Sequence, residues 1–547
     1  MTTRRLLCAT AICAGFLMRP APLASQGTLE DYRRAAGLEE RLAGLTIDVA
    51  QLPTWIGDSN RFWYRKTVRG GHEFVLVDAP SAQQQPAFDH VRLAAALSAA
   101  AESTYTGVTL PFSTFTYGPG EESIELDAAG SRWQCTLTEY RCTRTGAAED
   151  RASGRFGAGG GQARGRALNE RAQHELSPDG RLEAFIHNYN IAIRAPGSRD
   201  YTLLSWDGSE GDAYQAGSIR WSPDSKRLVA YRRRPGYGRM VRYVLSSPAD
   251  QLQPRDTTIS YRKPGDVLDF HQPVLFDVAS RRQLVIDNTL FPNAYQISQA
   301  EWREDGRAFT FEYNQRGHQV YRIIEVAAAT GQPRAVISEE VPTFFAYRDA
   351  NGRQTDSGKK FRADIADGRE IIWMSERDGW NHLYLYDGET GRVKNQITRG
   401  PWVVRGVDSV DVTNRQIWFR AAGMNRDQDP YFVHYYRVNF DGSDLVAYTE
   451  ADGNHNASWS PDRQYYVDMY SRVDLPTVLE LRRTRDRRVL AQLAQGDMTA
   501  QLATGWRPPE VFVAKGRDGE TDIWGIIVRP VNFDPSRKYP VIEQIYA

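Results

Sequence analysis

The 547-residue sequence has no excess of either charge: Lys plus Arg and Asp plus Glu each number 68. Nucleic-acid binders and membrane-surface binders carry a basic excess, so neither partner is expected. Cysteine is scarce, with four in all. Cys8 and Cys13 lie in the N-terminal leader. Cys135 and Cys142 stand seven apart with no paired histidine nearby, which does not complete a tetrahedral zinc set, so no metal is expected. Beyond the leader, no apolar run approaches the roughly 20 residues that span a bilayer. The Gly-rich stretch 153–166 is not followed by Gly-Lys-Ser/Thr, so it reads as a flexible loop, not a phosphate loop. Gly-x-Ser-x-Gly, the strained elbow that exposes a hydrolase nucleophile, occurs nowhere. No cofactor is implied.

What is present begins with an export signal. Arg4-Arg5 precedes a 13-residue apolar run, Leu6 to Met18, and small residues suited to cleavage follow near Ala24 to Gln26. Residues 1–26 are therefore expected to be a signal peptide, and the protein to be periplasmic or secreted. Export favours a disulfide between Cys135 and Cys142 in "RWQCTLTEYRC", on facing arms of a hairpin; two buried free thiols are the alternative. Residues 27–50 are expected to hold a helix, Thr28 to Leu45, docked on the body through Leu29, Tyr32, Ala36 and Leu38.

From about Asn60 one pattern recurs: a turn with Pro, Asp, Asn or Gly, then a strand of alternating apolar and aromatic residues. It runs from "DSNRFWYR" (58–65) through "AAGSRWQCTL" (128–137) and "SPDGRLEAFI" (177–186) to "WSPDRQYYVDMY" (459–470), eight times in all. Turn positions Asp179 and Asp224 are 45 apart, and Asn414 and Asp462 are 48 apart. A period near 45 with about four strand-sized pieces per repeat is the signature of propeller blades. The reading is all-β: an eight-bladed β-propeller over 51–504, with a large insertion at 256–292. The recurring Asp residues read as turn formers, not catalytic carboxylates. His382 and His455 read as hydrogen-bonded structural residues. From 505 the pattern breaks into strands that look like the start of an α/β domain.

Three stretches, "SERDGWNHLYLYDGETG" (375–391), "GNHNASWSPDRQYYVDMYSRVDLPTVLELRR" (453–483) and "KYPVIEQIYA" (538–547), resemble the dipeptidyl peptidase IV branch of the prolyl oligopeptidase serine peptidases. The resemblance implies an eight-bladed propeller followed by an α/β-hydrolase domain with a Ser-Asp-His triad. Residues 505–547 would then be the incomplete start of that domain, with the strand in "VIEQIYA" ending early. The sequence is expected to be a fragment, inactive as it stands and a serine peptidase only if the protein continues past residue 547. The resemblance carries an oxyanion-hole role onto Tyr546, conditional on a complete protein. The family's adjacent glutamates that hold a substrate amine are not matched: "DGSEGDAY" (207–214) offers Glu210, with Asp212 as the only neighbouring acid. Arg232 to Arg234 follow, basic where the branch is acidic, and would meet a substrate carboxylate or carbonyl.

The expected function is thus the propeller region of an exported peptidase that releases short peptides from peptide N-termini. Its propeller would gate and orient the peptide substrate, and homodimerisation is left open for the full-length protein. The alternative is a non-catalytic propeller that binds a ligand. A propeller glycosidase, which needs paired inward carboxylates, ranks last because the acidic residues sit mostly in turns.

Overall fold

A computed structural model describes residues 28–148, 174–348, 359–531 and 533–545. It contains eight sheets of four or five antiparallel strands, each built from consecutive strands except the fourth, which encloses a separate two-stranded arm. They are blades 1 to 8, over residues 54–86, 115–147, 174–203, 213–285, 294–340, 362–396, 403–447 and 454–495. The chain is an all-β, eight-bladed β-propeller, as its repeat predicts.

The strand Glu370–Ser375 shows why the sequence folds this way. Its side chains alternate between two faces: Ile371 and Trp373 pack against blade 5, Ile372 and Met374 against blade 7. Both faces are buried, so the strand reads as a continuous apolar run. Seven of the eight neighbouring pairs share such an apolar cluster among the described residues. The ring closes where Phe62 and Tyr64 of blade 1 pack on Val467 and Leu479 of blade 8. Among the described residues no strand is exchanged between first and last blades. Closure adds the Ile47 to Asp497 bridge and side-chain hydrogen bonds, among them the Tyr64 hydroxyl to the Leu493 carbonyl (3.0 Å) and the Trp55 indole to Ser458 (3.1 Å).

The recurrent turns are structural and nearly superimposable in their bonding. Ser177 donates to Asp179 (2.7 Å), which accepts from the Arg181 amide (3.1 Å). Ser222 with Asp224 and Ser460 with Asp462 repeat the pair at 2.7 Å. The turns also link blades: Asn60 donates to Asp462 (2.7 Å), and the Glu304 amide to Asp367 (2.8 Å). Trp221 and Trp302 each donate an indole N–H to a backbone carbonyl of the preceding blade, at 2.9 and 3.0 Å.

One recurrent turn falls out of phase with the rest, and three expectations are corrected. The turn in "AAGSRWQCTL" joins the second and third strands of blade 2, Ser123–Ala128 and Ser131–Thr136, whereas the other seven join first and second strands. Hairpin turns share a composition whatever their place in the sheet. The insertion is 235–269, since Phe270–Asp277 and Arg282–Val285 are blade 4's last two strands. The N-terminal helix is two short ones, Leu29–Ala36 and Leu38–Leu42, and Leu29 and Tyr32 are 66% and 64% exposed, so this stripe does not dock. Residues 541–545 form no strand, and Val541 and Ile542 are almost fully exposed. An apolar strand needs neighbours to pair with, and none stands beside it among the described residues.

Cys135 and Cys142 occupy a facing pair of strand positions and are joined by a disulfide. Cys135 is buried in the cluster between blades 1 and 2. Replacing Cys142 with serine is expected to lower stability by ~2 kcal/mol, mostly through the unfolded chain, given the short loop. Denaturant titration with and without reductant measures it; equal midpoints for the two conditions in the native protein would refute it.

Candidate functional site

In an antiparallel four-stranded blade, the turn between second and third strands and the connection to the next blade emerge at one end. The Ser-Pro-Asp turns emerge at the other. The features left over from the repeat gather at the first end.

Glu210 lies in the connection from blade 3 to blade 4. Ser209 and Asp212 exchange both backbone hydrogen bonds at 3.0 Å, closing a tight turn whose tip is Glu210 and Gly211. Gly211 takes φ +77, which glycine adopts without strain. The turn therefore holds the Glu210 carboxylate out in solvent, where it has no ionic partner among the described residues. The base of the loop is pinned: the Gly208 amide donates to Asn190 (2.8 Å) and the Tyr214 hydroxyl to Asp207 (3.0 Å).

Arg232, Arg233 and Arg234 end the second strand of blade 4, Arg227–Arg234. Each meets an acid. Arg232 reaches Asp207, and its Nε lies 3.3 Å from Asp212. Arg234 bonds Asp212 at 2.9 Å, and Arg233 bonds Asp269 at 2.7 Å. Asp212 is thus already occupied by two guanidiniums, while Glu210 is not. Arg234 is the most exposed of the three. The insertion that follows carries a two-stranded arm, Met240–Leu245 with Arg255–Ser260, tied down by Arg239 on Asp266 at 2.7 Å.

At the same end, the hairpin Glu510–Lys515 with Asp522–Ile527 lies against blades 7 and 8. A cavity of about 420 Å³ separates them, lined by Tyr431, Asp452, Val473, Val511 and Trp524. Tyr546 lies outside the described residues, as do 1–27 and 153–166. Among the described residues no cluster of His, Cys, Asp and Glu could hold a metal ion.

His382, His434 and His455 are structural. His382 contacts Thr398 (3.0 Å) and the Gly400 carbonyl (2.9 Å); His455 contacts Asp468 (2.7 Å) and the Ala451 carbonyl (2.8 Å). His434, 4.7 Å from His455 ring to ring, was not singled out by its sequence context. Burial, then the neighbouring His455, pushes its pKa down to about 4. An unfolded histidine titrates near 6.5, so between about 6.5 and about 4 the unfolded chain binds the extra proton. The contribution is complete above 6.5 and is lost as pH falls through that window, by at most ~3 kcal/mol. H434Q should flatten the change in urea midpoint between pH 7.5 and 5; an unchanged slope would count against the assignment.

A second cavity, about 730 Å³, opens between blades 5 and 6 and is lined by Trp302, Arg303, Glu312, Lys360, Arg362 and Asp364. Its charges neutralise one another: Lys360 bonds Glu312 (2.5 Å), Arg362 bonds Asp364 (2.7 Å), and Arg303 bridges Glu325 (3.0 Å) and Asp364 (2.5 Å). Sequence reasoning missed this network, because its members lie up to 61 residues apart.

A dipeptidyl peptidase 4 of Trichophyton equinum is 26% identical over 303 residues, covering 53% of this chain and 36% of the relative. A probable dipeptidyl-aminopeptidase B of Talaromyces marneffei is 23% identical over 412 residues, covering 68% of this chain and 44% of the relative. The chain thus spans less than half the length of these curated relatives. The crystal structure of Porphyromonas gingivalis dipeptidyl peptidase 4 aligns over 90% of this chain and 67% of its own, at 18% identity and a TM-score of 0.47. Residues 162–477 match the family described as the dipeptidyl peptidase IV N-terminal region, and the chain belongs to that family.

Proposed function

We propose that this chain is the propeller region of an exported serine peptidase that releases short peptides from peptide N-termini. In this reading the propeller gates access and orients the substrate's N-terminus toward a Ser-Asp-His triad on a hydrolase domain. Residues 505–547 would open that domain, with Tyr546 donating to the oxyanion, and residues 1–26 would direct export to the periplasm or beyond. Homodimerisation of the whole protein belongs to the same reading.

Family membership supports the class. The observation that carries the orientation role is the convergence of the Glu210 turn, the arginine strand end and the Glu510–Ile527 hairpin at one end of the propeller. A substrate there meets one free carboxylate, not two. A single carboxylate on a rigid turn still gives an ammonium a charge-assisted bond. Asp212, bonded to Arg232 and Arg234, positions those arginines instead of clamping the amine.

The test uses the whole coding sequence that contains this chain. Dipeptidyl anilides should be cleaved, and N-acetylated versions should not. E210Q should raise KM ~10-fold with little change in kcat, the size of one lost charged hydrogen bond. Equal cleavage of free and acetylated substrates would refute amine recognition. No cleavage of either would favour the binding-module reading.

A further inference from the structure

A third cavity, about 660 Å³, lies between blades 1 and 2, at the same end of the propeller as Glu210. Arg65, His72, Phe112, Thr114, Glu125 and Arg132 line it. Arg65 lies on the second strand of blade 1, Arg61–Val68, and His72 near the start of the third, Gly71–Asp78. Register places His72 opposite Thr67 and Arg65 opposite Phe74, so both side chains share the face turned to blade 2.

Both carry polar atoms without partners. The Nε of Arg65 and the Nε2 of His72 are shut off from solvent and accept or donate no hydrogen bond. His72 is nine-tenths buried. Among the described residues no carboxylate pairs with Arg65. The surrounding charges are committed elsewhere: Lys66 to Asp48 (2.8 Å) and Glu73 (3.3 Å), and Arg132 to Asp127 (3.1 Å). His90 accepts from the Phe74 amide, 2.8 Å. Glu125 is exposed, with no partner among the described residues.

A partly buried guanidinium without an acid is unfavourable, and native folds seldom leave one idle. Burial lowers the pKa of both groups, that of His72 to about 4, with Arg65 adding repulsion. An anion between them would relieve both. A dense inorganic anion does not suit the site: Glu125 on its wall repels concentrated negative charge, and Leu110, Phe112, Phe115 and Leu126 add an apolar part to a mainly polar lining. We propose that this cavity binds the carboxylate of a short peptide, with Arg65 as the fork and His72 as a second donor on proton uptake. The proposal rests on the reading of the chain as a peptide-handling propeller.

The test is calorimetric titration of this chain with a short apolar peptide as free acid, with its C-terminal amide, and with inorganic phosphate. Both peptides are N-acetylated, so no ammonium reaches Glu210 and the outcome is independent of amine recognition. The free acid should bind ~10–100-fold more tightly than the amide, as one or two charged hydrogen bonds predict. R65Q should erase that difference without lowering Tm, since Arg65 has no partner to lose. Binding should tighten from pH 7.5 to 5.5, and H72N should remove that dependence. Equal binding of acid and amide, or no binding of either, overturns the proposal. Phosphate competing as well as the free acid overturns the peptide assignment. A marked fall in Tm of R65Q would make Arg65 structural and also overturn it.

Discussion

Replacing Trp373 with alanine is expected to destabilise the protein by ~3–5 kcal/mol, the range for truncating a wholly buried large aromatic. Trp373 has no exposed surface. It fills the joint between blades 5 and 6, stacked on Phe345 (centroids 6.3 Å, planes 7° apart) and on Tyr321 (6.1 Å). Its indole N–H donates to Glu339, 2.9 Å. Glu339 is itself buried and keeps a bond from Arg377, so its charge is not orphaned by the change. The loss is therefore mainly cavity and packing. A joint in a closed ring cannot collapse freely, because its neighbours hold the two sheets apart. Urea unfolding of W373A against W373F reads the effect, with phenylalanine recovering about half. A loss below about 1 kcal/mol for alanine would mean that the joint relaxes and that the ring is not close-packed there.

The second large effect is at Arg303. Its side chain is almost wholly buried and bridges Glu325 and Asp364, tying blade 5 to the first strand of blade 6. R303M is expected to cost ~3 kcal/mol, the lower end for breaking a buried ion pair by removing one partner. It falls at the lower end because Glu325 keeps Arg334 and Asp364 keeps Arg362. Gly368 packs flat on the guanidinium with φ +78, and a Cβ there would overlap it. G368A should therefore be costly alone and less costly on top of R303M. Additive losses in that double-mutant cycle would show that the two do not share one strain. The solvent-screened pair Arg483–Asp486 is the control, and breaking it should leave the urea midpoint nearly unchanged.

These two residues differ in how legible they were. Trp373 sits in an apolar run inside a recurring turn-and-strand unit, and the period near 45 already made it core. Arg303 follows Trp302 in the same unit, yet nothing local marks it as buried. Its partners come from another strand and another blade. The same division holds at the candidate site. Glu210 came from the family resemblance, but its exposure on a locked turn and the occupation of Asp212 by two arginines depend on where Arg232 and Arg234 end their strand. Arg65 and His72 passed unnoticed, because an isolated Arg and His in strands look like solvated edge residues.

The sequence by itself determined the blade. Turn chemistry is local, since Ser, Pro and Asp bond within a few residues of one another, and side-chain alternation with period two is a property of any strand. It likewise set the cysteine pair on facing hairpin positions. Only the tertiary structure decided how blades meet. That includes the closure of the ring by packing without strand exchange, the phase of the blade 2 turn, the span of the blade 4 arm, and which charges are paired, shared or left without a partner. Such contacts join residues tens to hundreds of positions apart. Their energy depends on burial and distance, which the order of residues along a chain does not carry.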